Sequence, residues 1–185
     1  MKPEHIPNII SVLRLLLIPP AVWYLFNGQA ATSLLIFIIA GASDGIDGLL
    51  ARRYGWITRL GSILDPLADK FMMASIYIAL GWLGHLPVWL VATVLGRDVF
   101  IIAGALGYHF VFGRYDMEPH LLSKLNTVLQ IALVVFVLLS LSLLPLPELF
   151  LQISIWVVMC STVLSGMTYF TIWYGRARER RQYDR

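Results

Sequence analysis

Six apolar stretches, each long enough for a helix to cross a bilayer, follow one another along almost the whole chain. A helix needs about 20 residues to cross the hydrocarbon core. The spans predicted on this basis lie roughly at 8–27, 31–52, 62–84, 87–109, 121–144 and 147–174. The composition agrees, since 58% of the residues are hydrophobic and 14% are charged, against about 25% charged in a soluble domain. We therefore predict an all-α integral membrane protein with six transmembrane helices, in which residues 1–185 form one domain.

Turn residues separate the predicted spans. Asn27 and Gly28 close the first span, and Gly84 lies between the third and the fourth. Pro19 and Pro20 fall inside the first span and predict a kink or a local break there, because proline removes a helical hydrogen bond.

The basic residues of the predicted loops all lie on one side of the membrane. Six spans place both termini on that side, which holds Lys2, Arg52, Arg53, Arg59, Arg114, Arg176, Arg178, Arg180, Arg181 and Arg185. The three opposite loops contain no lysine or arginine. Because cytoplasmic loops carry an excess of these residues, we expect both termini to be cytoplasmic. The first span contains Arg14 and is longer than the apolar region of a secretory signal, so we expect it to be retained.

An acidic cluster lies at the predicted cytoplasmic ends of the second and third spans. Its members are Asp44, Asp47, Asp65 and Asp69. The first two are three residues apart and the last two are four apart, so each pair shares one face of its helix. Charges inside membrane spans are rare and usually functional, and carboxylate oxygens bind hard divalent cations. Two such metals form a common clamp for phosphoryl displacement. The alternative, a buried salt-bridge network, would need acids and bases in balance on facing positions.

The cluster belongs to a longer motif, D-x2-D-G-x2-A-R-x8-G-x3-D-x3-D. This chain supplies it with Asp44, Asp47, Gly48, Ala51, Arg52, Gly61, Asp65 and Asp69. In these residues the chain resembles the CDP-alcohol phosphotransferase family. The resemblance implies six membrane helices around a cytoplasm-facing polar cavity. It also implies transfer of a phosphatidyl group from CDP-diacylglycerol onto the hydroxyl of an alcohol, with CMP as the leaving group.

Residue roles follow from the same resemblance. It implies two Mg²⁺ or Mn²⁺ ions held by the four aspartates, with Asp69 also acting as the general base. The residues that it implies for CDP binding are Asp47, Gly48, Arg52, Gly61 and Asp65. Arg52 has an alternative role as a positive-inside anchor. We expect a homodimer in a bacterial inner membrane, in contact with membrane lipids and with no nucleic-acid partner.

Other charges inside the predicted spans bear on the acceptor alcohol. Arg97 and Asp98 are adjacent, so they point in different directions on a helix and are not expected to pair with each other. Arg97 is either a counter-ion for the aspartate cluster or a ligand of the acceptor's phosphate. Lys124 either contacts the acceptor or extends its ammonium group to the interface.

Two subfamilies look similar to this chain. Eukaryotic-type cardiolipin synthases carry a similar Arg-Asp-Val in the fourth span and S-K-x-N-T-x-x-Q in the fifth, matched here by Ser123, Lys124, Asn126, Thr127 and Gln130. Phosphatidylglycerophosphate synthases share the segment 64–70, but they have an arginine where this chain has Ala105.

The resemblance therefore favours phosphatidylglycerol as the acceptor, giving cardiolipin. The residues expected to bind it are Arg97, Lys124, Asn126 and Thr127. The main alternative is a phosphatidylglycerophosphate synthase that uses glycerol 3-phosphate, a polyol phosphate. A small membrane transporter is a distant alternative, because its site would lie near the membrane midplane and the aspartates lie at one face.

Overall fold

The computed structural model describes the backbone of residues 6–54, 61–112 and 121–183, and the side chains of residues 9–45, 54, 61, 64–104 and 121–171. Throughout these residues the regular structure is helical. The helices are α1 (Ile6–Phe26), α2 (Ala30–Tyr54), α3 (Gly61–Trp82), α4 (Val88–Phe112), α5 (Leu121–Ser142) and α6 (Glu148–Tyr183). The predicted all-α architecture is confirmed, and each predicted span corresponds to one helix.

Two glycines end helices in the same way. Gly28 and Gly84 have φ of 73° and 78°, a region that glycine enters without the steric cost of a Cβ. At the end of α1, Gly28 N donates to Leu25 O at 3.1 Å and Gln29 N donates to Tyr24 O at 2.9 Å. This pair of bonds is the Schellman pattern, which satisfies the last carbonyls of a helix. The predicted turns at these glycines are confirmed.

The helices differ from the predicted spans in two respects. α1 continues through Pro19 and Pro20 without a break, so the expected local break is absent. Proline is tolerated in membrane helices where neighbouring groups satisfy the freed carbonyls. α6 runs to Tyr183, about nine residues beyond the predicted span. The span is bounded by the end of the apolar run, whereas the arginine-rich residues that follow still favour a helix.

Three described helical segments combine the length and the apolarity needed to cross a membrane. They are Ile9–Phe26, Leu121–Ser142 and Glu148–Thr171, and Ala30–Gly45 is a shorter apolar segment. α3 carries two aspartates and a lysine in its first half, which lowers its mean hydropathy. The count of six spans stays a prediction.

Large apolar side chains are exposed along the outside of the helices. Examples are Leu16, Trp23, Val88, Trp156 and Met167. Extensive exposed apolar surface is unusual for a monomer in water, whereas lipid accommodates it. The helices therefore have the surface expected of an integral membrane protein.

Contacts divide the chain into two compact units. The first contains α1–α3 together with the end of α5, Val134–Leu146. In it, α1 packs against both α2 and α3, and small side chains such as Ala21, Ala40 and Ala68 are buried. Small residues at membrane helix contacts allow a close approach. This packing puts α1 beside both helices that carry the acidic motif.

The second unit contains α4, α5 up to Leu133, and α6. α4 packs against α6, and the rings of Trp89 and Trp156 lie 5.3 Å apart. Among the described side chains, more polar ones are buried in this unit than in the first. The buried polar side chains are Arg97, Asn126, Gln130, Thr162 and Ser165.

Candidate active site

The aspartates of the motif lie on two neighbouring helices of the first unit. Asp44 lies in α2, and Asp65 and Asp69 lie in the first turns of α3. All three side chains are partly exposed, so each has carboxylate surface that a ligand can reach. Asp47 lies in α2, and its side chain is outside the described residues.

The residues predicted to bind CDP lie around the same helix ends. Gly48 and Arg52 are in α2, where their side-chain environment is outside the described residues. Gly61 is the first residue of α3 and is buried. The motif therefore runs from the last turns of α2 to the first turns of α3.

One buried cation joins two of the acids. Arg14 of α1 is 2% exposed. Its Nη1 lies 2.8 Å from Oδ1 of Asp44 and 2.5 Å from Oδ1 of Asp69. Charge-assisted hydrogen bonds of this kind are shorter and stronger than neutral ones. A single guanidinium therefore draws an acid of α2 and an acid of α3 to the same point.

Ser11, one turn earlier on α1, contacts the third described aspartate. Its hydroxyl donates to Oδ1 of Asp65, and Ser11 is fully buried. Ser11 and Arg14 are three residues apart and so share one face of α1. Neither contact was predicted from the sequence, where Arg14 served only as evidence for a retained span and Ser11 was given no role. The signal that could have found them is a polar pair at helical spacing in an otherwise apolar span.

Arg97 of α4 is a buried cation in the second unit, where it is 7% exposed. Its Nη1 donates to Asp98 at 2.8 Å, and its Nη2 donates to Ser123 and Ser165 at 2.6 Å each. The ring of Tyr169 lies 5.9 Å from its Cζ. The expectation that Arg97 and Asp98 do not pair is wrong. The long arginine side chain folds back along the helix far enough to meet its neighbour, although the two Cα–Cβ bonds diverge.

Asn126 lies at the centre of another buried hydrogen-bond group. Its Oδ1 accepts from Ser161 at 2.7 Å and from Thr162 at 2.9 Å. Gln130 donates to Thr162 at 3.4 Å. These bonds tie α5 to α6, and interhelical hydrogen bonds contribute about 0.6–2 kcal/mol each in membranes. Asn126, which the sequence predicts to bind the acceptor, is thus fully buried between two helices.

The remaining predicted acceptor residues differ in exposure. The hydroxyl of Thr127 donates to the backbone carbonyl of Ser123 at 3.1 Å, a common bond within a helix. Lys124 is exposed, so its ammonium group is accessible to a ligand. Ala105 lies in α4, and its side-chain environment is outside the described residues.

A family model for CDP-alcohol phosphatidyltransferases matches residues 4–173. The match includes the whole acidic motif and the polar residues of α4 and α5. The chain belongs to the CDP-alcohol phosphatidyltransferase family. The resemblance inferred from the motif is therefore confirmed.

Relatives within the CDP-alcohol phosphatidyltransferase family carry two kinds of name. A probable cardiolipin synthase (CMP-forming) of Drosophila melanogaster is 31% identical over 90% of this chain and 52% of its own length. The cardiolipin synthase (CMP-forming) of Rattus norvegicus is 30% identical over 95% of this chain and 63% of its own. A chloroplastic CDP-diacylglycerol–glycerol-3-phosphate 3-phosphatidyltransferase of Oryza sativa subsp. japonica is 31% identical over 96% and 59%. The chain therefore spans between half and two thirds of the length of these curated relatives.

The CDP-alcohol phosphatidyltransferase motif provides hard oxygen donors, which are the ligands that Mg²⁺ and Mn²⁺ prefer. Among the described side chains, no group of three or more acids, histidines or cysteines is arranged to hold a metal ion. Asp47 lies outside that set. Asp44 and Asp69 nevertheless converge on one cationic nitrogen, so their carboxylates are already disposed around a single positive charge. The donor type and this convergence fit a divalent cation.

Proposed function

We propose that this chain transfers the phosphatidyl group of CDP-diacylglycerol to the hydroxyl of phosphatidylglycerol, giving cardiolipin and CMP. The observation that carries the proposal is family membership across residues 4–173, joined to an intact motif from Asp44 to Asp69. Relatives named cardiolipin synthase (CMP-forming) support the choice of acceptor.

Divalent cations held by the aspartates are part of the proposal. Asp44, Asp47, Asp65 and Asp69 are the ligands, and two ions would neutralise the diphosphate of CDP and the charge that grows on the reacting phosphorus. Gly48 and Gly61 are the proposed neighbours of the nucleotide, because a glycine has no side chain to block it. Arg52 is the proposed partner of a phosphate oxygen, which a guanidinium can bind in a fork geometry.

Asp69 is the proposed general base. An alcohol is a weak nucleophile until its proton moves to a base within hydrogen-bond reach. Asp69 has one oxygen held by Arg14 at 2.5 Å, and its side chain remains 46% exposed. That exposure leaves carboxylate surface to accept the proton of the acceptor hydroxyl. The oxygen of the acceptor hydroxyl forms a bond to the phosphatidyl phosphorus. The bond from that phosphorus to the CMP oxygen breaks, and CMP leaves with the electron pair.

The choice between the two acceptors rests on how many cations the chain offers to bind the acceptor's phosphate. Glycerol 3-phosphate is a small dianion and needs several fixed cations, whereas phosphatidylglycerol carries one phosphodiester charge. Arg97 is buried and already bonded to Asp98, Ser123 and Ser165. Lys124 is exposed and is the residue that we expect to contact the acceptor headgroup, with Thr127 as a neighbour. Arg97 and Asn126 would then affect acceptor binding only indirectly, by holding α4, α5 and α6 together.

Phosphatidylglycerophosphate synthesis is the second candidate, because the Oryza sativa relative is named for transfer to glycerol 3-phosphate. The two candidates share the donor, the leaving group and the motif. They differ only in the acceptor, so an acceptor panel separates them.

The orientation of the chain and its assembly belong to the same proposal. The segregation of basic loop residues supports cytoplasmic termini and a cytoplasm-facing site. The location that we propose is a bacterial inner membrane. The family resemblance supports a homodimer whose other partners are membrane lipids.

The test uses the purified full chain in lipid nanodiscs with labelled CDP-diacylglycerol, Mg²⁺ or Mn²⁺, and either phosphatidylglycerol or glycerol 3-phosphate. We expect labelled cardiolipin and equimolar CMP with the first acceptor. Phosphatidylglycerophosphate as the sole product would replace the acceptor and keep the family chemistry. A transporter would release no CMP with either acceptor.

A further inference from the structure

The side chains that α1 contributes are not part of the acidic motif, and yet they contact every described aspartate of that motif. Arg14 contacts Asp44 and Asp69, and Ser11 contacts Asp65. We propose that Ser11 and Arg14 are positioning residues, which fix the carboxylates of α2 and α3 in the arrangement that a divalent cation requires. This inference rests on the proposed metal site.

The first step concerns burial. Ser11 and Arg14 are 0% and 2% exposed, so neither side chain is available to a substrate. The aspartates that they contact are much more open, at 39% for Asp44 and 46% for Asp69. Buried side chains of α1 therefore contact acids that are themselves partly exposed. This arrangement suits residues that orient metal ligands without binding the metal themselves.

The second step concerns what each contact leaves available. A carboxylate has two oxygens and about four lone-pair sites. The contacts from Ser11 and Arg14 go to Oδ1 of their aspartates. A carboxylate held through one oxygen keeps a second oxygen that can serve as a metal ligand. Partners that orient metal ligands in this way commonly change metal affinity by about 10–100-fold when they are removed.

The third step concerns the helices. Asp44 belongs to α2, whereas Asp65 and Asp69 belong to α3. Like charges on two helices repel each other, and Arg14 offsets this repulsion from α1, which packs against both helices. α1 is thus a third helix that contributes side chains to the site, although the acidic motif covers only α2 and α3.

The experiment measures Mn²⁺ binding by the loss of the free-ion electron paramagnetic resonance signal, using the full chain in nanodiscs without nucleotide. Ser11→Ala and Arg14→Lys both keep the net charge, so neither changes the overall electrostatic attraction for the ion. Leu13→Ala is the matched control, because Leu13 lies between them on α1 and is 52% exposed. We expect Mn²⁺ to bind about tenfold more weakly to each of the two variants and equally well to the control.

The outcomes are separable. Mn²⁺ affinity within twofold of the wild type in both variants, or tighter binding in either, would overturn the positioning role. A wild-type chain that binds no Mn²⁺ would instead remove the proposed metal site, and this inference with it. Thermal unfolding of each variant accompanies the titration. If Arg14→Lys does not fold, Ser11→Ala decides the question, because it removes one hydroxyl and no charge.

Discussion

Two buried arginines, one in each unit, both pair with aspartates, and these aspartates differ in exposure. Arg14 is joined to Asp44 and Asp69, whose side chains are 39% and 46% exposed. Arg97 is joined to Asp98, which is 15% exposed, and to hydroxyl groups of neighbouring helices. The first arrangement is open, since its acids have surface that a ligand can reach. The acid of the second arrangement is mostly buried, although Arg97 itself lines a cavity of about 590 Å³.

The difference teaches how to read a charge inside a membrane protein. Both arginines occupy apolar helices, so the sequence alone marks both as functional candidates. The exposure of the partners separates them. Exposed acids around a buried cation suit a ligand site, whereas a cation bonded to a mostly buried acid and to hydroxyls of two neighbouring helices suits the support of helix packing.

The largest effect is expected from neutralising the acids of the motif. Asp44→Asn, Asp47→Asn and Asp65→Asn each remove a charge from the proposed cation site and should reduce turnover by at least about a hundredfold. CMP release from CDP-diacylglycerol measures this, with the thermal unfolding temperature as a check of the fold. Asp98→Asn is the matched control, because it makes the same change at the acid beside Arg97. It should lower the stability of the chain, since it breaks a buried ion pair, but the folded protein should keep most turnover. Substantial turnover in all three motif variants would mean that the site is wrongly located.

The second effect concerns the base. Asp69→Asn keeps the size of the side chain and removes its ability to accept a proton, which general-base catalysis values at about 10²–10⁴ in rate. We expect CDP-diacylglycerol to bind while transfer is lost, as measured by equilibrium binding beside CMP release. Loss of binding together with turnover would make Asp69 chiefly a metal ligand.

The third effect is on stability. Ser165→Ala removes one hydrogen bond to the buried guanidinium of Arg97, at a cost of about 1 kcal/mol. Arg97→Ala removes the guanidinium from all of its partners and should cost about 3 kcal/mol or more, the range for breaking a buried ion pair. Thermal unfolding in nanodiscs should therefore order the variants as wild type, Ser165→Ala, Arg97→Ala. If Arg97→Ala keeps wild-type stability and raises only the KM for phosphatidylglycerol, Arg97 is an acceptor ligand.

The smallest effect is expected at Lys124. Lys124→Ala removes an exposed cation that lies outside the CDP motif, so the KM for the acceptor should rise a few-fold, in the range of about 1 kcal/mol for an exposed charge contact. The affinity for CDP-diacylglycerol should stay the same. An unchanged acceptor KM would indicate that Lys124 only extends to the membrane interface.

Much of the fold could be predicted from the sequence. The helices follow from runs of apolar residues, and the ends of α1 and α3 follow from Gly28 and Gly84, where a positive φ is required. The end of α6 could not be predicted from the apolar run, which stops near residue 174. The arginine-rich residues that follow still favour a helix, so hydropathy and helix propensity give different ends.

The candidate site divides in the same way. Spacing alone groups Asp44 with Asp47 and Asp65 with Asp69, because each pair lies on one helix face. The spacing of Ser11 and Arg14 marks a polar face of α1, but it does not say which residues that face contacts. Their partners lie 54 and 55 positions away in the chain. The pairing of Arg97 with Asp98 was missed because the directions of Cα–Cβ bonds say little about where a long, flexible side chain ends.

The most direct test compares CMP release by Asp69→Asn and Asp98→Asn in nanodiscs that contain CDP-diacylglycerol, phosphatidylglycerol and Mn²⁺. The open arrangement around Arg14 should carry the chemistry, so Asp69→Asn should release no CMP above background. The wild type and folded Asp98→Asn should each release CMP and form an equimolar amount of cardiolipin. Equal CMP release by the two variants, or none by the wild type with either acceptor, would contradict the account.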